Sequence, residues 1–309
     1  MSLMSALRGA GPSGFGYSST AEQVTAGLDL TGKVVLLTGC NSGIGLESFR
    51  VFAMRGATVV ALARTREKAE AAAAAVVPED GTARAVPYAC ELSDPASIRA
   101  CVDAILADGH TIDAMVLNAG IMSPSQRTVA RGLEIQFLTN HMGHFLLATG
   151  LLSQLGPTGR VVSLSSTGHQ HTVRGGIAFD DLTLERRYDK WTAYGQSKLA
   201  NLLFAKALAT RLPAGQVAVA VHPGVIATNL GRNMGGLMQR GFSGVGRLLG
   251  KDIAQGAATQ VWAAVHPDAA AHSGAYLADC NVSKPSKHAR DPALAARLWE
   301  VSEDLAARL

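Results

Sequence analysis

The sequence has few cysteines, little charge and no long apolar run, and each shortage removes a class of protein. Four cysteines occur in 309 residues (Cys40, Cys90, Cys101 and Cys280) and none forms a C-x-x-C pair. That excludes a disulfide-stapled secreted scaffold and leaves reduced thiols as the expected state. No apolar run reaches the roughly 18 residues that a membrane helix needs. The opening stretch MSLMSALRGAGPSGFGYSST lacks the continuous apolar core of a signal peptide, so a cytoplasmic protein is expected. Charged residues make up 17% of the chain, the net charge is +4, and ERR at 185–187 is the nearest thing to a basic cluster. Nucleic-acid binding therefore gains little support, whereas a mildly positive balance suits an anionic ligand such as a cofactor phosphate. Metal-ligand spacing is lacking as well. His141 and His144 sit three apart and HQH spans 169–171, with no third ligand suitably spaced, so core or surface histidines are expected and no metal.

What is there is an alternating rhythm. KVVLLTG (33–39), TVVALAR (58–64), ARAVPYAC (83–90), IDAMVLNAG (112–120), GRVVSLSS (159–166), QVAVAVHPG (216–224) and GAYLAD (274–279) read as strands. Several are continuously apolar, as strands covered on both faces are. Helical stretches lie between them: REKAEAAAAAVV, and PASIRACVDAIL with Asp94 as N-cap and Pro95 at the first helical position. The pattern predicts an α/β fold. Residues 30–309 form a single doubly wound, Rossmann-type domain, with a mainly parallel seven-stranded sheet flanked by helices on both faces, behind a leader at 1–29. One segment breaks the rhythm: 229–250 mixes many glycines with Met, Phe and Leu. It is either a long surface loop or a lid with apolar side chains over a substrate. Its place after a strand's C-terminal end favours the lid.

Three features point to chemistry. LLTGCNSGIGLESF joins the first strand to the first helix, and Gly39, Gly43 and Gly45 give G-x-x-x-G-x-G. Such a turn leaves room for a pyrophosphate that the helix N–H groups and dipole then hold. At the end of the second strand, where an acid meets a free ribose 2′-hydroxyl, the sequence offers Ala63 and then Arg64. Arg64 is either a solvated strand-end residue or the partner of a 2′-phosphate; with the acid missing, NADP(H) is favoured over NAD(H). Finally, Tyr194 and Lys198 lie about one helical turn apart on one face. They are either a packed tyrosine beside a solvated lysine or a proton device in which the ammonium lowers the phenol's pKa from near ~10.

The stretches TGCNSGIG (38–45), NAG (118–120), NHMGHF (140–145), SLSS (163–166), YGQSK (194–198) and HPGVIATNL (222–230) resemble, in order, the motifs of the short-chain dehydrogenase/reductase family. NHMGHFLL, IAFDDL, AYGQSKLANLLF and the leader FGYSSTAEQVTAGLDLTGK are similar to its retinol-dehydrogenase-like branch, which includes the WW-domain oxidoreductases. The resemblance implies a catalytic tetrad of Asn140, Ser166, Tyr194 and Lys198. Tyr194 would exchange a proton with the substrate oxygen, Lys198 would tune it and hold the cofactor ribose, and Ser166 would hydrogen-bond the oxygen where charge develops. Asn140 would fix a water relay, although it could instead cap the following helix. Ser165 and Ser166 point to opposite faces of a strand, and the family pattern favours the second. Cofactor contacts are implied at Gly39, Asn41, Ser42, Gly43, Ile44, Gly45, Arg64, Glu91, Leu92, Asn118, Ala119, Gly120, Tyr194, Lys198, Pro223, Gly224 and Thr228. Two positions depart from the family: Leu117 replaces the first Asn of N-N-A-G, and Glu91 replaces an Asp near the adenine. The implied activity is NADP(H)-dependent hydride transfer between nicotinamide and a carbonyl or alcohol on a hydrophobic small molecule. The competitors are a cofactor-binding sensor without turnover and a reductase of an activated carbon–carbon double bond. A homo-oligomer is implied by resemblance alone.

Overall fold

The computed structural model describes residues 9–77, 81–226 and 250–309. Strand β1 (Val34–Thr38) leads through α1 (Gly43–Met54), β2 (Thr58–Ala63), α2 (Arg66–Val76), β3 (Arg84–Ala89) and α3 (Pro95–Asp108) to β4 (Ile112–Leu117). A small hairpin, β5 (Val129–Ala130) and β6 (Leu133–Glu134), precedes α4 (Gly143–Leu151), β7 (Leu155–Leu164), α5 (Lys190–Ala209) and β8 (Val217–His222). Then come α6 (Ile253–Val265), β9 (Tyr276–Ala278), β10 (Asn281–Val282) and α7 (Pro292–Arg308). The expected α/β fold is borne out. The main sheet runs β10-β9-β8-β7-β4-β1-β2-β3, and every neighbouring pair is parallel except β9 with β10.

The seven anticipated strands are all present, and β10 is an eighth. It follows a two-residue turn in which Asp279 and Cys280 both take the left-handed region, at φ 52° and 60°. That is the geometry of the tight hairpin turn usually written Asn-Gly or Asp-Gly, and Asp-Cys carries no such signal.

The continuous apolar runs have the reason expected of them. Along β1, Val35 and Leu37 enter the core shared with α1 and α6, while Leu36 enters the one on the opposite face. Local chemistry sets the helix ends. Asp94 accepts from the Ala96 N–H at 3.3 Å, Pro95 opens α3, and Gly109 closes it at φ 67°. The described part of the leader is packed against the domain. The Ala21 N–H donates to Ala254 O at 2.9 Å, and Ala21, Val24 and Leu30 are buried in the core with α1 and α6.

Strand order reverses at β1, which has β2 on one side and β4 on the other. In such sheets ligands bind in the crevice beyond the strands' C-terminal ends at that point. The proposed lid, apart from Gly250, and Thr228 lie outside the described residues. Among the described residues, no helix is long and apolar enough to cross a membrane.

Candidate active site

The turn between β1 and α1 fits a pyrophosphate on two observations. Ser42, the N-cap of α1, makes no side-chain cap, so the first-turn N–H groups stay open to a ligand. Gly43 takes φ 55°, and nothing lies within 4 Å of where a Cβ would stand. Gly45 is required for the opposite reason, since a Cβ there would lie 2.1 Å from Gly39 O and 2.6 Å from Asn118 Nδ2. Asn41 is exposed and Ile44 half-buried at the same turn.

Asn118 braces this turn from behind. Its Nδ2 donates to Thr38 O at 2.8 Å, and its Oδ1 accepts from Gln260 Nε2 at 3.2 Å. The Ala119 N–H donates to Thr38 Oγ1 at 2.9 Å. Leu117, which stands where the family motif has Asn, is buried in the apolar core. At the end of β2, Arg64 is exposed and forms no ion pair among the described residues, which leaves its guanidinium open to an anion. Glu91 turns to its own loop, where Oε1 accepts from the Ser93 N–H at 3.1 Å and the Ser93 hydroxyl at 2.8 Å. Leu92 places its side chain in the core.

The four tetrad candidates converge where β4, β7 and α5 meet. The adjacent serines differ in what each touches. Ser165 is buried, and its Oγ donates to Lys198 O at 2.8 Å. Ser166 Oγ accepts from the Gly168 N–H at 3.1 Å and hydrogen-bonds Tyr194. A Cβ at Gly168 would sit 2.9 Å from Tyr194 Cε1 and 3.5 Å from Ser166 Oγ, so the phenol ring and the serine flank that glycine.

Asp189 caps α5, accepting from Trp191 N–H at 3.1 Å and Thr192 N–H at 2.8 Å, and this fixes the start of the helix that carries Tyr194 and Lys198. Lys198 is buried, and its Nζ donates to Leu164 O at 2.9 Å. Beside it, a Cβ at Gly120 would meet Asn140 Oδ1 at 3.0 Å and Lys198 Nζ at 3.4 Å, so only glycine leaves that space open.

Asn140 neither caps a helix nor leaves its amide free. Its Nδ2 donates to Ile121 O at 3.0 Å and Ser197 Oγ at 2.9 Å, and its Oδ1 accepts from the Ile121 N–H at 2.8 Å. The residue lies in a π-helical turn, Leu138–Met142, and its carbonyl is 2.9 Å from His144 Nδ1. Widened turns of this kind recur at functional sites. The clamp ties the exit of β4 to α5.

One electrostatic expectation is corrected. In this chain burial pushes the Tyr194 phenol up to about 12, with the Ser166 hydrogen bond pulling the other way. Burial also draws the Lys198 ammonium down to about 8. The lysine lies 5.8 Å from the phenol ring centroid and is turned to the β7 carbonyl. Desolvation therefore outweighs the lowering that a neighbouring ammonium was expected to produce. The phenol is thereby protonated at neutral pH, and it holds its proton more tightly than a free phenol does.

Sequence reasoning passed over several supporting residues. His169 Nδ1 lies 2.6 Å from Ser166 O, and Nε2 accepts from the Ser286 N–H at 3.0 Å, which fixes the neutral Nδ1–H form directly behind Ser166. His144 Nε2 meets Thr38 Oγ1 at 2.9 Å, and His141 Nε2 meets Ser302 Oγ at 2.8 Å. No spacing rule connects these partners.

Burial holds His141 down to about 3, and His144 and His222 each to about 4. An unfolded histidine titrates near ~6.5. Between about pH 6.5 and 4 the unfolded chain therefore binds protons that the folded chain refuses. Stability is complete above this window and is lost as pH falls through it. Tm measured across the window is expected to fall with acid, and less steeply in His222→Asn; identical slopes would contradict the buried neutral histidine.

Comparison with known proteins agrees with this fold. A family model described as short chain dehydrogenase matches residues 33–179. The short-chain dehydrogenase TIC 32 B, chloroplastic, of Brassica napus is 41% identical over 303 residues, covering 95% of this chain and 94% of its own. Retinol dehydrogenase 12 of Mus musculus is 40% identical over 286 residues, covering 91% and 88%. Among solved structures, an uncharacterized protein from Mycobacterium Paratuberculosis superposes with a TM-score of 0.71 at 31% identity, covering 92% of this chain and 97% of that one. A blue fluorescent protein from a metagenomic library, solved in complex with NADPH, gives 0.63 at 26% identity, covering 81% and 97%.

Proposed function

The chain belongs to the short-chain dehydrogenase/reductase family, in its retinol-dehydrogenase-like branch, and from that premise we propose that it is an NADP(H)-dependent oxidoreductase. It interconverts a carbonyl and an alcohol on a bulky, hydrophobic small molecule. The observation that carries this reading is the convergence of Ser166, Tyr194 and buried Lys198 at the crevice edge of β7. A bound reduced nicotinamide supplies the hydride.

The residues divide the remaining work. Ser166 donates a hydrogen bond to the substrate oxygen as negative charge develops there. Tyr194, protonated in its buried setting, delivers the proton to that oxygen. Lys198 holds ribose hydroxyls and stands behind the phenol as a cation. In the reverse direction Tyr194 must act as a base, and the positive charge of an oxidised nicotinamide favours the phenolate. Asn140 keeps the β4 exit and α5 in register, so that these groups stay at reacting distance. Open helix N–H groups at α1 hold the pyrophosphate, and Gly39, Ala119 and Gly120 line its approach. Pro223 and Gly224, with Thr228 assigned to the same segment, would hold the nicotinamide end.

Arg64 is read as the 2′-phosphate partner, supported by its open guanidinium and by the NADPH bound to a protein of similar fold. Arg64→Ala is expected to raise the NADPH dissociation constant by about tenfold or more, a charge-assisted contact being worth roughly 1.5–3 kcal/mol, while NADH binding barely changes. Equal losses for the two cofactors would reject the assignment. The reading as a whole is tested by NADPH consumption against a panel of bulky aldehydes and ketones. Turnover ranked by hydrophobic size supports it; tight NADPH binding with no turnover on any member counts against it.

A further inference from the structure

We propose that Lys251 is a positioning residue for the Pro223–Gly224 end of the cofactor crevice, and that the ion pair of its buried ammonium with the half-buried Asp279 is the latch through which it acts. The inference rests on the reading that this segment flanks nicotinamide.

Lys251 is 1% exposed, although lysine is among the residues least often buried. Three parts of it grip three parts of the chain. Its backbone N–H donates to Val225 O at 2.9 Å, and it forms an isolated parallel bridge with Ile226. Its stem lies on Gly224, which takes φ 94°; a Cβ there would come within 2.6 Å of Lys251 Cδ. Its Nζ reaches Asp279 Oδ1 at 2.7 Å and stands 5.1 Å from the ring centroid of Tyr17. Residues 224–226 are thereby tied through one side chain to the β9–β10 turn and to the leader.

The arrangement is costly for a merely structural contact. A methionine would fill the space of the lysine stem with no charge to desolvate, and buried ion pairs are often no more stabilising than apolar side chains of similar volume. Asp279 also occupies a left-handed conformation, at φ 52°, next to Cys280 at 60°, and backbone strain of this kind persists where the surroundings over-determine it. A desolvated cation held against a strained turn makes sense if the position of Gly224 must be reproduced closely. The neighbouring groups agree. His222, directly before Pro223, is kept neutral by burial and by the nearby Lys251 cation, and its Nδ1 has no partner among the described residues. His222 still pairs with Ala278 of β9, and beyond it Val225 and Ile226 are held, among the described residues, by the backbone of Lys251.

The test compares two ligands on the full-length protein by calorimetry: NADPH, and 2′-phospho-ADP-ribose, which keeps the adenine half and lacks the nicotinamide. In the wild type NADPH is expected to bind more tightly than the fragment. Lys251→Met is expected to weaken NADPH by about tenfold while fragment binding stays within about twofold, with kcat reduced and the circular dichroism unchanged. Asp279→Asn, which suits the left-handed turn and removes the charge, is expected to shift the two ligands in the same selective way, and it decides the matter if Lys251→Met does not fold. Loss of both ligands in parallel, or of neither, overturns the latch. A wild type that binds the two ligands equally overturns the nicotinamide reading itself, and the latch with it, so the two failures are told apart by which protein shows them.

Discussion

Tyr194→Phe is expected to lower kcat for carbonyl reduction by ~10²–10⁴-fold, the usual worth of a positioned general acid, while leaving NADPH affinity and Tm close to those of the wild type. The substitution removes one oxygen from a ring that is 8% exposed and packed against Gly168. Ser166 Oγ keeps its bond from the Gly168 N–H, so no neighbour is left without a partner. The structural cost is that of one hydrogen bond, roughly 1 kcal/mol. The catalytic cost is larger because neither neighbour replaces the phenol: Ser165 donates to a helix carbonyl, and Lys198 is anchored to Leu164 O behind the ring, where it is assigned to the ribose. Steady-state rates with a bulky aldehyde, together with a melting curve, separate the two effects. Full turnover in the variant would remove Tyr194 from the mechanism.

Gly195→Ala is expected to damage both the fold and the rate, although helix propensity alone argues the reverse. Alanine in a helix interior is favoured over glycine by roughly 1 kcal/mol. Here, however, the added Cβ would stand 1.9 Å from His171 O and 2.6 Å from Gly168 O. Both obstacles are backbone atoms of the turn that follows Ser166, so no side-chain rotation relieves the contact. Overpacking costs ~1–3 kcal/mol and here opposes the propensity gain with a hard clash. The 168–171 turn must move off α5, and Ser166 moves away from Tyr194 with it. A displacement of about 1 Å in a reacting geometry can cost ~10²-fold in rate. We therefore expect kcat reduced on that scale and Tm lowered by roughly 5 °C. Wild-type values for both would show that the α5–turn contact does not set the site.

The strands were legible because their burial is two-sided: β1 sends Val35 and Leu37 to one core and Leu36 to the other, and the apolar run in the sequence records this directly. Ser166, Tyr194 and Lys198 were legible through motif and periodicity, since the strand alternation that separates Ser165 from Ser166 is a local rule. Interactions between distant segments were not legible. The β9–β10 turn uses Asp279 and Cys280 where the turn code expects glycine or asparagine. The spacing of Tyr194 and Lys198 suggested a lowered phenol pKa. The opposite direction follows from desolvation, which depends on everything packed around the ring. His144, Gln260 and Lys251 act through partners more than 20 positions away (Thr38, Asn118 and Asp279), and no window of sequence contains both members of a pair.

The most direct measurement follows the hydride itself. Wild-type protein is incubated with NADPH carrying deuterium at both C4 positions of the nicotinamide ring and a bulky α,β-unsaturated aldehyde, and the product is analysed by mass spectrometry and NMR. The account predicts one deuterium on the carbinol carbon of an alcohol whose double bond is intact, and label transfer slowed by ~10²–10⁴-fold in Tyr194→Phe. Deuterium on the β-carbon of a saturated aldehyde, or an unlabelled substrate recovered from protein that binds NADPH tightly, would contradict it.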